Sequence, residues 1–466
     1  MFLASVEGRV FDAVSPVDGR YRPVVRELSR FFSELGLARY RLLVEATYLK
    51  KLLDRTRPHL APEASRALDE IVSSFNEESM VVVKELERET GHDVEALVRF
   101  LRSALERRGL ADAAPLVHLG LTSEDVNNLA YSLALRDCLS GVLLPSLSRL
   151  TLRIAELAYA ERETIMLART HGQPAVPTTL GKELAVHAHR LSKSLERLGS
   201  MRLPGKASGA VGTYAGLVEV FGPGALEASE ELVSELGLSF WPATKQVLPH
   251  DDVSRLLQEL SLLSMILVDL CRDLWLLSML GYVYPRPRGV GSSTMPQKSN
   301  PVELENAEGN LELAANTLSF MALRLAVSRL QRDLSDSTIR RNYGVALAHL
   351  LLGVRNIDAF LDRMAIDREA MRRDLEKHPE ALSEAVQIRA RLRGVDILAE
   401  LRSIGPHDPS YPDRVRALLE SSGLHAAEIV PRAPEEYLGL APRIAELVYR
   451  LVGEGAAKRF CAGGRV

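Results

Sequence analysis

A chain of 466 residues, 46% apolar and 26% charged, can bury enough surface for two or three domains, which excludes a disordered polypeptide. Its 58 basic and 61 acidic residues leave a formal net charge of −3, so no general grip on nucleic acid is expected and an anionic ligand has to be held locally. Three cysteines, Cys138, Cys271 and Cys461, stand in no CxxC spacing, which argues against a disulfide framework or thiolate metal site and fits a reducing, cytoplasmic setting.

Glu7 and Asp12 lie in a start that lacks a basic head, an apolar run and a cleavage site, so it does not read as a secretory leader. Beyond it, tracts rich in Leu, Ala, Glu and Arg carry apolar residues three and four apart, and alternating β-branched runs are scarce. An all-α protein is expected, with an N-terminal helical domain over residues 1–117, a central long-helix bundle over 118–365 and a C-terminal helical domain over 366–466. Long helices are expected over Leu129–Ala160, Thr178–Leu203, Val253–Tyr282, Glu303–Leu323 and Ile339–Met364. Charges at Arg255, Glu259, Asp269, Arg272 and Asp273 interrupt the apolar tract from Val253 to Tyr284, leaving about nine uncharged residues in a row where a membrane span needs roughly twenty. That tract predicts a buried helix and no membrane partner.

Segments rich in Gly, Pro, Ser and Thr separate the helices at His118–Asn127, Arg169–Thr179, Pro204–Thr213 and Pro285–Pro301, and chemistry is expected there. His187 and His189 stand two apart on a predicted helix and face different sides, and no P-loop or dinucleotide glycine pattern occurs. Neither a metal nor a cofactor is expected.

The loop over 285–301 contains Gly289-Val290-Gly291-Ser292-Ser293-Thr294-Met295-Pro296-Gln297-Lys298-Ser299-Asn300-Pro301. It feeds a helix start, where unpaired backbone N–H groups and the positive end of the helix dipole converge, and Lys298 adds a full charge. An anion site is one reading. A plain helix cap at Asn300 with turning glycines is the other.

The pattern GSSxMPxKxNP in this loop resembles the signature of the fumarase and aspartase superfamily, whose members eliminate fumarate from a succinyl group. The similarity runs from Ser15-Pro16-Val17-Asp18-Gly19-Arg20-Tyr21 to Tyr437-Leu438-Gly439. Between these lie Thr90-Gly91-His92-Asp93-Val94, Thr122-Ser123-Glu124-Asp125, Arg169-Thr170-His171-Gly172-Gln173-Pro174 and Ser328-Arg329-Leu330-Gln331-Arg332-Asp333-Leu334-Ser335-Asp336-Ser337. These motifs are similar to the branch whose substrates are succinylated nucleotides. The resemblance implies β-elimination, with Ser292 as general base, His171 as general acid, and Ser293, Lys298 and Asn300 holding the succinyl carboxylates. It further implies substrate contacts from Thr90, Gly91, His92, Asp93, Thr122, Ser123, Gln246 and Asn306, and a phosphate site from Arg20, Tyr21, Arg332, Ser337 and Arg341. A homotetramer in which three subunits complete each site is implied as well.

Read without the resemblance, several of these residues have a plainer role. Thr122 and Ser123 are ordinary caps, His92 and Asp93 a solvated pair, Glu305 and Asn306 partners of the first-turn dipole, and the arginines solvated charges. Gly91 and Gln297 depart from the family pattern, which usually has a polar side chain at the first and His or Tyr at the second. Sister lyases that bind a guanidinium in place of a phosphate, and a non-catalytic helical protein on the same scaffold, are the competing readings.

Overall fold

The computed structural model describes residues 12–286, 295, 298–405 and 408–462. Long helices dominate, as expected of an all-α chain. The described strands form three two-stranded pairs: Ile165–Thr170 antiparallel with Gln173–Thr179, Pro204–Gly205 parallel with Ser239–Phe240, and Val283–Pro285 antiparallel with Met364–Ile366. Two compact units are present, one of residues 1–146, 197–265 and 310–352, the other of 147–196, 266–309 and 353–466.

In the first unit, the Glu34–Thr56 helix begins at Ser33, whose hydroxyl accepts from the Gly36 N–H at 3.0 Å. Its inward face contributes Leu42, Leu49, Leu52 and Leu53, none of them exposed. The Asp93–Glu106 helix is capped by His92, whose Nδ1 accepts from the N–H groups of Val94 (3.2 Å) and Glu95 (3.4 Å), which places the ring proton on Nε2. Val94, Leu97, Val98, Leu101 and Leu105 recur at helical spacing on its buried side. The preceding helix, Glu77–Thr90, stops at Gly91 with φ +66°, so this departure from the family pattern is a C-terminal cap in a conformation that favours glycine.

The helix expected over Leu129–Ala160 starts earlier and runs unbroken from Ser123 to Ala160, with its turn widened to a π form at Leu139–Leu143. Two stretches, Ser123–Ala160 and Ser335–Arg363, are long and apolar enough to cross a bilayer, but 61% and 72% of their most apolar windows are buried inside the protein, as in core helices.

In the second unit, the helix expected from Thr178 starts at Leu180, because Ile165–Thr179 folds into a β-hairpin. Ile165 and Leu167 of that hairpin pack with Leu375, Ala381 and Leu438. Polar ties cross-link the helices of this unit: His187 Nε2 to Asp273 at 2.9 Å, Arg153 to Asp358 at 2.6 Å, and Arg363 to Glu303 at 2.7 Å.

Candidate active site

The Thr122–Ser123 segment is fixed from beneath. Thr122 and Asp125 form a reciprocal capping box at the start of the Ser123–Ala160 helix. The buried Asp125 carboxylate accepts from the N–H groups of Thr122 (2.9 Å), Ser208 (2.9 Å) and Gly209 (3.1 Å) and from the Lys206 ammonium at 2.7 Å. Both side chains of that ion pair are fully buried. The capping reading of Thr122 therefore holds, and Ser123 occupies the first helical position, where backbone N–H groups lack intrahelical partners.

Glu124, 2% exposed, binds two arginines through one oxygen: Arg340 at 2.7 Å and Arg332 at 2.8 Å. Asp336, one turn before Arg340, accepts from Arg340 at 2.6 Å and lies 3.4 Å from Arg332. Burial alone would push the Glu124 carboxyl up, but the guanidiniums of Arg340 and Arg332 hold it below the ordinary carboxylate range. His250 is buried beside them and is pushed down to about 3 by burial and by Arg340 and Arg332 against the opposing charge of Glu124, so its ring is neutral at physiological pH. Glu124, His250 and Asp336 bring potential ligand atoms within 4.8 Å of one another. A divalent cation there would face two guanidiniums that already balance both carboxylates, so the group is an ion-pair network and not a metal site.

A second network joins motifs far apart in the chain. Asp93 accepts from Arg41 at 2.8 Å and Arg341 at 3.4 Å, and Arg41 also donates to Asn127 at 2.8 Å. Burial raises the Asp93 carboxyl, yet Arg41, hydrogen bonds from Arg41 and Val94, and the charge of Arg341 hold it below its ordinary value. Asp93, 3.6 Å from the His92 imidazole, is therefore no free base. It orients two cations. Arg41, Asp93, Tyr131, Arg340 and Arg341 line a cavity of about 180 Å³ together with apolar residues including Met80 and Leu97.

Of the other expected residues in this unit, Thr90 exchanges hydrogen bonds with the His92 backbone (3.1 and 3.2 Å), and Gln246 donates to the Ala210 carbonyl at 2.8 Å. Ser337 lies on the short Ser335–Arg340 helix with Asp336 and Arg340. Arg20 and Tyr21 close the Ser15–Tyr21 turn, where the Tyr21 N–H donates to the Pro16 carbonyl at 2.8 Å.

In the second unit, His171 and Gly172 form the two-residue turn between the paired residues Thr170 and Gln173, with φ of +54° and +75°. That is the backbone of a type I′ hairpin turn, in which the first position normally holds Asn, Asp or Gly. A histidine held there in the left-handed region is strained, and the turn leaves its side chain exposed to solvent.

Ser292, Ser293 and Gln297 lie outside the described residues. Lys298 is exposed, and its N–H donates to the Met295 carbonyl at 3.1 Å. The carbonyl of Pro301 accepts from Leu304 and Glu305, so Pro301 is the cap of the Val302–Leu325 helix and Asn300 precedes it by one residue. Asn306 accepts from the Asn356 side chain at 2.8 Å.

Sequence reasoning missed Arg41, Arg340 and, above all, His118. His118, at φ +67°, makes a 2.5 Å bond through Nδ1 to the fully buried Glu45, four residues before Thr122. The signal was its place at the head of the His118–Asn127 segment; its partner lay 73 residues away. Burial lowers the His118 pKa, but the hydrogen bond and charge of Glu45, with Asp125 and Glu95, raise it above its ordinary value. The pair's stabilisation is therefore fully present below the unfolded histidine's pKa and is lost as pH rises through the raised folded value. The thermal unfolding temperature of the protein is expected to fall over that window, and His118→Gln should flatten the dependence; equal slopes would remove the pair from the pH response.

A family model described as "Lyase" matches residues 29–313, and one described as "Adenylosuccinate lyase C-terminal" matches residues 328–404. The adenylosuccinate lyase of Legionella pneumophila (strain Corby) is 35% identical over 446 residues, 93% of this chain and 98% of the relative. That of Escherichia coli (strain K12) is 38% identical over 392 residues, 82% and 86% of the two chains. Among solved structures, the 3-carboxy-cis,cis-muconate lactonizing enzyme from Pseudomonas putida is similar with a TM-score of 0.75 at 24% identity, covering 92% of this chain and 97% of the other. The fumarate lyase from Mesorhizobium sp. BNC1 is similar with a TM-score of 0.69 at 20% identity, covering 91% and 97%. These two likenesses concern the fold alone.

Proposed function

The chain belongs to the adenylosuccinate lyase family, carbon–nitrogen lyases of purine biosynthesis, and from that premise we propose how its residues divide the work. Adenylosuccinate is split to fumarate and AMP, and SAICAR to fumarate and AICAR. Ser292 takes a proton from the succinyl carbon beside a carboxylate. The electron pair is held as an aci-carboxylate by Lys298, Asn300 and Ser293, then forms the fumarate double bond as the carbon–nitrogen bond breaks. His171 delivers a proton to the departing nitrogen.

Support for the nucleotide end comes from the Asp93–Arg341 and Glu124–Arg332 contacts, which draw the Thr90–Val94 and Thr122–Asp125 motifs to a third segment more than 200 residues further along the chain. Carboxylates on one side of a guanidinium fix its plane, so its remaining N–H groups are oriented before a phosphate arrives. Arg20, Tyr21 and Ser337 complete that end, and Thr122, Ser123, Gln246, Thr90 and His92 surround the base and succinyl portions. Arg341 is 62% exposed on its side chain and its contact to Asp93 is long at 3.4 Å, so Arg341→Ala tests the assignment at small cost to the fold. KM for adenylosuccinate is expected to rise about tenfold, the loss of one charge-assisted contact, with kcat changed little. Unchanged KM would take Arg341 out of the phosphate site.

Exposed apolar side chains on the long helices, including Leu262, Met265, Leu313, Phe320 and Leu323, support a homotetramer, the assembly in which three subunits complete each site. The wide spacing of the three cysteines, with no CxxC pair in the sequence, supports a cytoplasmic setting. The direct test is fumarate release from adenylosuccinate with no metal added and argininosuccinate as a parallel control, together with the mass in solution by light scattering. Release from argininosuccinate alone, or activity in a monomer, would overturn the respective part of this reading.

A further inference from the structure

The hairpin that carries His171 is held at its base and not at its tip. Ile165 and Leu167 are buried in the apolar cluster with Leu375 and Ala381, whereas Thr170, His171, Gly172 and Gln173 are all exposed. Between base and tip the ladder is irregular: a bulge falls between Leu167 and Arg169, and Arg169 is paired with Pro174, which has no N–H to give. A two-residue strained turn on an interrupted ladder would swing unless something else fixed it.

Arg169, two residues before His171, supplies the tie. Its guanidinium donates to the Asp374 carboxylate and, at 3.1 Å, to the Tyr282 hydroxyl, while the Tyr282 hydroxyl itself donates to Asp374 at 2.5 Å. The triangle closes on two rigid supports. Tyr282 is 1% exposed, and its carbonyl accepts from the Asp367 N–H at 2.9 Å. Asp374 lies on the Arg368–Glu376 helix, anchored by the buried Met371 and Leu375.

We propose that Arg169, Tyr282 and Asp374 form a positioning set that fixes the hairpin tip and thereby aims His171 at the departing nitrogen. The inference rests on the reading of His171 as the general acid. One cation, one anion and a neutral phenol sum to no net charge, so the set acts through where the imidazole stands. Misplacement of a proton donor by about an ångström can cost on the order of a hundredfold in rate.

Asp374→Asn and Tyr282→Phe are the variants, assayed in the intact enzyme after circular dichroism and light scattering show wild-type fold and assembly. Each is expected to lower kcat by about 10- to 100-fold, with KM within about twofold and the pH profile unmoved, and Asp374→Glu should recover part of the loss. The deciding measurement is a double-mutant cycle with His171→Asn, a residue at ease in the left-handed region. Combining Asp374→Asn with His171→Asn should cost nothing beyond His171→Asn alone. Additive losses, a shifted pH profile, or full kcat in both single variants would overturn the positioning role. If Asp374→Asn destroys the fold, Tyr282→Phe, which removes one hydroxyl, carries the cycle by itself. A His171→Asn enzyme with wild-type turnover would instead remove the acid assignment, a result separable from any effect at Asp374.

Discussion

His171→Asn is expected to lower kcat for adenylosuccinate by roughly 10²- to 10⁴-fold, the range removed with a positioned general acid, while KM changes little. Asparagine is the informative replacement. His171 stands at φ +54° in a two-residue turn, where alanine would keep the backbone strain and disturb the hairpin, but asparagine tolerates the left-handed region. A loss seen with asparagine therefore belongs to the imidazole and not to the turn. Initial rates of fumarate release over a range of substrate concentrations measure both constants. Turnover within a factor of two of wild type would exclude His171 from proton delivery.

The turn also shows why sequence and structure agree unevenly here. Helical periodicity is a local signal, so the all-α class and most long helices were legible from spacing alone, and the glycine- and proline-rich segments marked the positions of Thr122, His171 and Lys298. The hairpin was not legible as such: Arg169–Thr179 contains prolines at 174 and 177 and no clean alternation, and its pairing is sustained by burial of Ile165 and Leu167 beneath the Arg368–Glu376 helix. Tertiary packing there overrides weak local propensity.

Charged groups were the least legible. Arg340 reads in sequence as one more helix arginine, yet it is 2% exposed between Glu124 and Asp336. Asp93 and His92 are neighbours in sequence, but Asp93 turns to Arg41 and Arg341 while His92 caps the helix. Pairing across 52 to 248 residues leaves no local trace. Gly91 is the opposite case. This residue departs from the family pattern, and its φ of +66° shows a helix-ending role that explains why glycine stands there.

Asp125→Ala should be the most destabilising single change in the first unit, by about 3–5 kcal/mol, because it strips the partner from a fully buried ammonium. Lys206 donates to Asp125 at 2.7 Å with neither side chain exposed, and the same carboxylate satisfies the N–H groups of Thr122, Ser208 and Gly209. Removing it leaves one charge and three backbone donors in the interior. Against a typical total stability of about 5–15 kcal/mol, that loss takes much of the folded population. Lys206→Met is expected to be milder, since the carboxylate keeps three N–H donors, and the Asp125→Asn, Lys206→Met pair should recover most of the stability lost by Asp125→Ala because no buried charge then remains. Urea unfolding midpoints of the four proteins decide the matter. An Asp125→Ala cost below about 1 kcal/mol would mean that water reaches Lys206 and that the pair is not sealed. The recovered double variant would separate stability from function. Its Ser123 would stand on a folded but uncharged base, so an intact KM would show that the ion pair serves the fold, and a raised KM that it also sets the substrate-facing start of the helix.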